Sequence, residues 1–335
     1  MSEPARTAAA GVPSGSRLAA TVSGRLEWLP LAIVTGLSAV AIVVAIAVTP
    51  SFLTVDNIRA ILRNASIVGI VAVGMTPVTL SGNFVSLGLS QSAMLAMVAF
   101  VALLGAGWSQ LAAILVVVAG SVIVGVLQGV VVAAGLNPVI TTLAAGAIIF
   151  GVVSDATEGG IVRVGANTVS WGGGTVAGIP IEVIVFVLFT VVVSLLMSRT
   201  VLGRETVLVG ANRATAEISG ISFARVTIVA FAILSVGLAI AGVLNGAAFG
   251  QATAKFFPTL TINVIAAVLV GGTAIQGGQG SPLRSAAGAV VISVISNMMV
   301  LNDFSTGWRL AVQGAVVAVI VVLLELLRRR AAVRT

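Results

Sequence analysis

The side chains that usually carry catalysis are scarce in this sequence and fall outside its apolar stretches. The chain has no Cys and no His, which excludes disulfides, thiolate or imidazole metal ligands, and nucleophilic catalysis by either residue. Its ten Asp and Glu residues lie at or near the ends of apolar runs or in the N-terminal tail, so no two carboxylates share a plausible site within such a run. We therefore expect no metal, no cofactor and no enzymatic activity.

Neutral polar side chains remain within the apolar runs, and they cluster where Pro and Gly interrupt the pattern. The main cluster is GMTPVTLSGNFVSLG at 74–88, and GLNPVITTL at 135–143 adds further amides and hydroxyls. Such groups suit the passage of a neutral, polyhydroxylated solute, and they equally suit hydrogen bonds between packed helices. For any single residue the packing interpretation is favoured, but as a group we predict that they line a solute path: Thr76, Thr79, Asn83, Phe84, Ser86, Asn137 and Thr141.

A second candidate region is the polar segment 199–225, RTVLGRETVLVGANRATAEISGISFAR, which carries four Arg residues between two long apolar runs. Asn212 is predicted to cap a short helix through Ser219, and Gly220 to end it in a left-handed conformation. So short a helix is marginal alone, so it must pack on its surroundings. We predict that it docks a cytoplasmic partner, the alternative being a basic loop that only fixes orientation. The predicted coupling residues are Gly210, Asn212, Ala216, Glu217, Ser219, Gly220 and Ile221.

Composition identifies the setting of both regions as a membrane. The 335 residues are 59% hydrophobic and only 8% charged, with a mean hydropathy of +1.20, whereas soluble domains carry roughly 25% charged residues. Alternating ten-residue segments typical of a β-barrel are absent. The net charge of +7 does not indicate nucleic-acid binding, because the basic residues lie at the ends of apolar runs without interleaved aromatics.

The predicted fold is an all-α, polytopic membrane protein with about ten transmembrane helices and both termini in the cytoplasm. Placing the termini inside puts most of the 17 basic residues on the cytoplasmic side. The predicted organisation is a disordered cytoplasmic tail at 1–27, a transmembrane domain at 28–327 containing the coupling segment 199–225, and a basic cytoplasmic tail at 328–335. The ten predicted spans are 28–49, 65–81, 85–104, 110–134, 138–153, 181–198, 223–247, 259–276, 283–300 and 308–327.

Some segments between or within these spans are less regular. The spans at 65–81 and 138–153 are short, so we expect them to be broken or to stop inside the bundle. The segment 54–64 has helical apolar spacing and is predicted to lie along the outer surface. The outer loop 154–180 either receives an external partner or is a plain connector. The turn at 271–282 is either a second contact with a cytoplasmic partner or only a tight turn.

The sequence lacks an energy source of its own. No P-loop occurs, and the glycines at 172–174 follow no strand and open no helix, so nucleotide binding is not indicated. Most of the 38 glycines are expected to let helices approach closely. No intramembrane charge suggests proton or ion coupling. Work for uphill transport would therefore have to come from a separate subunit that hydrolyses ATP.

At these motifs the chain resembles the permease subunits of bacterial ABC importers of the ribose/xylose/simple-sugar class, within the branched-chain amino acid/sugar permease superfamily. AAVLVGGTAIQGGQGSP at 266–282 resembles the family's Gly-Gly-Thr…Gly-Gly-x-Gly-Ser turn, and GANRATAEISGI at 210–221 its Gly-x-Asn-x-x-Ala-Ala-x-x-Ser-Gly-Ile segment. LNPVITTLAAGAIIFG at 136–151 and VGMTPVTLSGNFVSLG at 73–88 resemble two of its spans. With FLTVDNIRAILRNAS at 52–66, the resemblance extends from about 28 to 330 in the expected order.

One departure concerns the predicted path. Where the family has Gly-Gly-Ile-Asp-Leu-Ser, this chain has Ser-Gly-Asn-Phe-Val-Ser, so Phe84 stands at the acidic position. If that Asp handles solute or holds the helix break, this protein does so by other means.

The resemblance implies the function and the partners. The chain would be the permease of an ATP-driven monosaccharide importer in the bacterial cytoplasmic (inner) membrane, surrounded by lipid. It would pair with a second permease chain, identical or related, with cytoplasmic ABC ATPase subunits and with an extracytoplasmic solute-binding protein. Alternatives are the same architecture serving a nucleoside, a signalling furanose or a branched-chain amino acid, and a stand-alone facilitator. Catalysis within the membrane is disfavoured, and no nucleic-acid partner is expected.

Overall fold

The computed structural model describes residues 36, 43, 46, 49, 52–165, 169, 171–305, 307–315, 318, 319 and 322. The predicted tails at 1–27 and 328–335 lie outside the described residues. So does the first predicted span, 28–49, apart from four positions, and so does much of the last, 308–327. The locations of both termini therefore stay predictions.

The described chain is predominantly helical, as the sequence predicts. Four two-residue strands accompany the helices: β1 (Val162–Arg163), β2 (Thr175–Val176), β3 (Ile179–Pro180) and β4 (Gln251–Ala252). Residues 307–315 are also largely helical. The helices with full bounds are α1 (Val55–Leu80), α2 (Leu89–Gly105), α3 (Gln110–Ala133), α4 (Pro138–Ala156), α5 (Ile181–Arg199), α6 (Val201–Ala211), α7 (Arg213–Ile218), α8 (Phe223–Phe249), α9 (Leu260–Val270) and α10 (Pro282–Leu301).

Within the described residues, six helices are long and apolar enough to cross a membrane: α1, α3, α4, α5, α8 and α10. Helices α2 and α9 are apolar but shorter. The multi-pass, helical class is thus confirmed, while the number of ten spans stays a prediction.

Two local predictions were wrong. The segment 54–64 is not a separate surface helix, because all but its first residue form the start of α1, which continues unbroken to Leu80. The short apolar helices are also not the predicted ones. The helices that contain 65–81 and 138–153, α1 and α4, have 26 and 19 residues, whereas α2 and α9 have 17 and 11. Apolar length alone did not reveal where Gly and Asn would end a helix inside the bundle.

Helices α1 and α8 form the buried centre and run antiparallel. Small residues bring them together: a Cβ placed on Gly74 of α1 would lie 3.3 Å from Cα of Leu234, and one on Gly237 of α8 would lie 3.1 Å from the carbonyl oxygen of Ile70. Helix α3 packs on α8 through Gly129, whose Cβ would lie 2.9 Å from Cα of Ile228. The rest of α3 is largely exposed and apolar, as expected of a surface facing lipid.

The two central helices are followed by matching interruptions. After α1 the chain runs without helix through 81–88 before α2 begins, and after α8 it runs through 250–259 before α9 begins. The N-termini of α2 and α9 then meet inside the bundle. The N–H of Ser90 donates to Thr261 Oγ1 at 3.1 Å, and the N–H of Thr261 donates to Ser90 Oγ at 3.1 Å. This reciprocal pairing is typical of an inverted repeat with discontinuous helices.

The bundle has two distinguishable ends. At the strand end, β1 pairs antiparallel with β4, and β2 pairs with β3 in a tight hairpin within the predicted outer loop. The hairpin turns through Ala177 and Gly178, both with positive φ. At the opposite end, the α7 end, α6 and α7 lie beside the C-terminus of α1 and the turn 271–282.

The close approach of α2 and α8 provides a test of glycine packing. We expect Gly242→Leu to destabilise the protein, because a Cβ there would already lie 2.7 Å from atoms of Ala93, Ala96 and Met97. Overpacking of this kind costs about 1–3 kcal/mol, which a lowered melting temperature in detergent would report. The matched control is Gly120→Leu on α3, where a Cβ meets nothing within 4 Å. Equal melting temperatures for the two variants would contradict this account of the packing.

Candidate functional site

The predicted coupling helix is present as α7, with the expected cap and end. Asn212 caps it by accepting the N–H of Thr215 on Oδ1 at 3.1 Å. Gly220 follows its end with φ +80°, and the N–H of Ile221 returns to the carbonyl of Ala216 at 3.0 Å. These bonds satisfy the free carbonyls of a helix C-terminus, and the left-handed residue favours glycine. The sequence prediction of this helix is confirmed.

Helix α7 is held to the bundle by the apolar packing of one residue and by a cation–π contact. Ala216 is buried against Val209, Phe223 and Val226, which fix α7 to the ends of α6 and α8. The guanidinium of Arg213 lies 3.7 Å from the centroid of the Phe223 ring and bonds Glu217 at 2.9 Å. Packing therefore supplies the order that so short a helix lacks alone.

Sequence reasoning missed the most exposed large apolar residue of this segment. Ile218, the last residue of α7, is 89% exposed, and neighbouring Ser219 is also exposed. An isolated large apolar side chain in an otherwise polar segment was the available signal. Exposed apolar residues bordered by polar ones are typical of protein contact sites.

The turn 271–282 proves to be a packing element. The N–H of Gly278 donates to the carbonyl of Leu80 at 2.9 Å, and a Cβ on Gly277 would lie 2.7 Å from Cα of Gly82. Gly210 of α6 completes the junction, since a side chain there would collide with Leu80 and Gly278. We call Gly82, Gly210, Gly277 and Gly278 the glycine junction. It joins the end of α1, the end of α6 and the turn without intervening side chains.

Members of the two predicted residue sets meet in one cavity. The α7-end cavity, of about 440 Å³, is lined by Asn83, Phe84 and Asn137 of the predicted path and by Gly210 and Asn212 of the coupling segment. Movement of α7 relative to the bundle would therefore reshape this cavity directly. Asn137 also caps α4, accepting the N–H of Val139 at 2.9 Å.

Phe84 has an unusual backbone within this cavity. It is one of few non-glycine residues with positive φ among the described residues, at 56°, and its side chain is 50% exposed. A bulky residue rarely adopts this conformation, whereas Asp and Asn do so more readily. The position at which the resembled family has Asp is thus a left-handed corner, where Phe replaces a residue suited to the backbone.

Other predicted path residues serve mainly as packing groups. Thr76 Oγ1 lies 2.8 Å from the carbonyl oxygen of Ala72 and 2.8 Å from Ser285 Oγ, and the hydrogen bond between the two hydroxyls joins α1 to α10. Thr79 is fully buried and turns back to its own helix, and Ser86 is buried in the segment between α1 and α2. For Thr76 and Thr79 the structure gives the helix-packing role that the sequence left open.

A second cavity, which we call the middle cavity, lies beside the paired N-termini of α2 and α9. It measures about 460 Å³. Ser90, Gln91 and Thr261 give it polar walls, and Phe150 and Phe257 give it aromatic ones. Gln91 Oε1 is buried and has no hydrogen-bond partner among the described residues. Sequence reasoning missed this cavity, because residues far apart in the chain form it.

Thr141 lies on α4 and differs from its neighbour Thr142 in its hydrogen bonding. Thr142 Oγ1 accepts the N–H of Leu87 at 3.0 Å, which pins the irregular segment before α2 to α4. Thr141 Oγ1 is buried and has no partner among the described residues. An unsatisfied buried hydroxyl costs stability, so its retention is a signal of function.

The described residues offer polar cavities but no catalytic constellation. They contain no group of three or more His, Cys, Asp or Glu residues able to hold a metal. A bundle of membrane-length apolar helices, interrupted helix pairs and stacked polar cavities defines a multi-pass membrane permease.

Comparison with known proteins gives the family. The chain belongs to the family described as branched-chain amino acid transport system / permease component, whose model matches residues 57–321. The ribose import permease protein of Bacillus subtilis is 33% identical over 86% of this chain and 90% of its own length. That of Escherichia coli K12 is 29% identical over 91% and 98%. The E. coli K12 xylose transport system permease is 30% identical over 46% and 39%. No solved structure matches the chain.

The end of α7 generates a prediction about local order. Gly220→Val should loosen α7, because a β-branched residue is disfavoured at φ +80° although there is space for it. We expect faster trypsin cleavage after Arg213 and Arg225 in detergent. Ser219→Ala is the control, since it keeps the backbone geometry. Unchanged cleavage of the Gly220 variant would show that the left-handed residue does not hold α7 in place.

Proposed function

We propose that this chain is the transmembrane permease subunit of an ATP-driven importer of a monosaccharide such as ribose or xylose. One observation carries the proposal: ribose import permeases align with it over nearly their whole length. The hydroxyls and amides that line the α7-end and middle cavities suit a hydroxylated solute. ATP hydrolysis is assigned to cytoplasmic ATPase subunits, and delivery to an extracytoplasmic binding protein.

The proposed orientation places the α7 end in the cytoplasm and the strand end outside, in the bacterial inner membrane. Arg199, Arg204, Arg213 and Arg225 support this orientation, because basic residues near span ends favour the cytoplasmic side. A second permease chain completes the translocation unit.

The proposed mechanism begins at α7. An ATPase subunit binds Ile218 and the polar residues around it, and ATP-driven closure displaces α7. The glycine junction passes that displacement to the end of α1 and to the corner at Phe84, because backbone segments in direct contact move together. The α7-end cavity then changes shape and releases solute.

The proposed path continues from the α7-end cavity along Asn83, Phe84 and Thr141 to the middle cavity. Small shifts of the 81–88 segment would join or separate the two cavities. The packing residues Thr76 and Thr79 hold α1 in place beside this path rather than touching solute.

A second candidate solute class is branched-chain amino acids, which the family description names. A zwitterion is usually met by helix N-termini or charges. The α7-end cavity offers Arg213, which is already paired with Glu217, and Lys255 lines the middle cavity. Alignment with ribose import permeases over nearly their whole length favours the sugar assignment, which we adopt.

The complex, purified through a tag on this chain and reconstituted in proteoliposomes, tests the function. We expect ATP-dependent accumulation of labelled ribose or xylose that requires the binding protein. Accumulation against a gradient without the ATPase, or accumulation of leucine but of neither sugar, would contradict the proposal.

Ile218→Ser tests coupling in that assay. Burial of one large aliphatic side chain is worth about 1.5–3 kcal/mol, so ATPase binding and sugar uptake should fall roughly tenfold or more. Val176→Ser is the control, because Val176 is similarly apolar and 55% exposed but lies at the strand end. Equal uptake by both variants would argue against α7 as the docking site.

Thr141→Val and Thr142→Val test the path as an adjacent pair. Thr141→Val removes a hydroxyl without a partner, so we expect unchanged or raised thermal stability with reduced sugar uptake. Thr142→Val leaves the N–H of Leu87 without its hydrogen-bond acceptor, which should cost about 1–3 kcal/mol of stability. Normal uptake by the Thr141 variant would remove Thr141 from the path.

A further inference from the structure

A large cavity at the strand end holds buried charge. It measures about 610 Å³ and is enclosed by α1, α5, α8 and the 172–175 turn. Its walls include Arg63, Glu182 and Asn245. Nothing in the predicted path or in the coupling mechanism uses these residues.

Glu182 is the unusual member. Its side chain is only 7% exposed, at the first turn of α5. Oε1 lies 3.9 Å from Arg63 Nε, and Oε2 is buried with no partner among the described residues. A buried carboxylate is costly unless its oxygens are satisfied, and ionisable groups within membrane spans commonly mark solute sites.

A purely structural ion pair does not account for this arrangement. Arg63 gives its shorter contact, 2.6 Å, to the carbonyl of Gly173 and not to the carboxylate. A clamp between α1 and α5 would use both carboxylate oxygens at hydrogen-bond distance. Here the guanidinium lies beside Glu182, which lines the cavity, and leaves the buried Oε2 without a hydrogen-bond partner among the described residues.

The free groups in the cavity match a neutral hydroxylated molecule. Asn245 donates to the carbonyl of Ala241 through Nδ2 at 2.9 Å, while its amide still lines the cavity. A second ion pair lines the cavity, in which Arg59 Nη1 lies 3.7 Å from Asp56 Oδ1. Two arginines and two acidic residues line the cavity, so it carries no excess positive charge for the carboxylate of an amino acid. An acceptor, neutral amides and aromatic walls remain.

The strand-end cavity and the middle cavity share one lining side chain. Phe257, 9% exposed, lines both. It stacks edge-on against Phe256 with ring centroids 4.9 Å apart, and Phe256 stacks against Phe249 at 5.2 Å. Solute held at Glu182 would therefore be one aromatic ring away from the rest of the path.

We propose that the strand-end cavity is a solute-binding site of the permease itself, in which Glu182 Oε2 and Asn245 hydrogen-bond the hydroxyls of a monosaccharide. The site rests on the proposed function, since it receives the sugar that the complex imports. Arg63 positions Glu182, and Phe257 separates this site from the middle cavity.

Binding to the purified permease in nanodiscs, without ATPase or binding protein, tests the site. The probes are D-ribose, D-xylose and L-leucine, followed by calorimetry and by ligand-induced shifts in melting temperature. We expect weak, millimolar sugar binding. Glu182→Gln should raise Kd about tenfold, because a charge-assisted hydrogen bond is replaced by a neutral one. Asn245→Ala should also raise Kd, and its fold should persist, because its bond lies within one helix.

Asp303→Asn is the matched control, since it neutralises an exposed acid outside the strand-end cavity and should leave Kd unchanged. Three results would overturn the site: a Kd unaffected by either cavity variant, a lowered ligand-free melting temperature as the only effect of Glu182→Gln, or preferential binding of leucine. Absence of sugar binding by the permease, while the full complex imports sugar, would also overturn the site and leave the proposed function standing. Sugar binding without ATP-driven sugar import would instead refute the proposed function.

Discussion

The need to satisfy backbone polar groups away from water governs this bundle. A helix does so internally, and an interrupted helix inside a membrane must find other partners. The chain meets that need where the N-termini of α2 and α9 abut, since Ser90 and Thr261 each accept the other's N–H. The interruptions are therefore stable only because the two halves of the chain face one another. Polar cavities at this level are a consequence of that arrangement.

Close backbone contact provides the second constraint. The glycine junction brings the end of α6, the end of α1 and the 271–282 turn together without side chains between them. Side-chain contacts can absorb a small displacement by changing rotamer, whereas backbones in contact transmit it. The segment that carries α7 and the corner that carries Phe84 are thus mechanically adjacent, and this links the proposed docking surface to the proposed path.

Charge is distributed unequally along the bundle axis. The middle cavity has hydroxyl, amide and aromatic side chains and one exposed cation, Lys255, while the strand-end cavity contains the acid–base pair Glu182 and Arg63. Buried charge is tolerated there because the pair lies near the end of the helices, at the first turn of α5, where the helix dipole also favours an acid. A solute moving inward would pass from strong acceptors to weaker neutral groups, which favours release over retention.

Sequence alone determined the class of the protein and one local structure in detail. Apolar run lengths gave a multi-pass helical bundle, and Asn212 with Gly220 gave α7 and its boundaries, because capping depends on neighbouring residues. Sequence could not place the short helices, because an apolar run has the same residue pattern whether it spans the membrane or ends inside the bundle. Tertiary structure decided that Thr76 contacts Ser285 while the Thr141 hydroxyl has no partner among the described residues, and that Glu182 is buried, because these outcomes depend on which distant helix lies opposite each side chain.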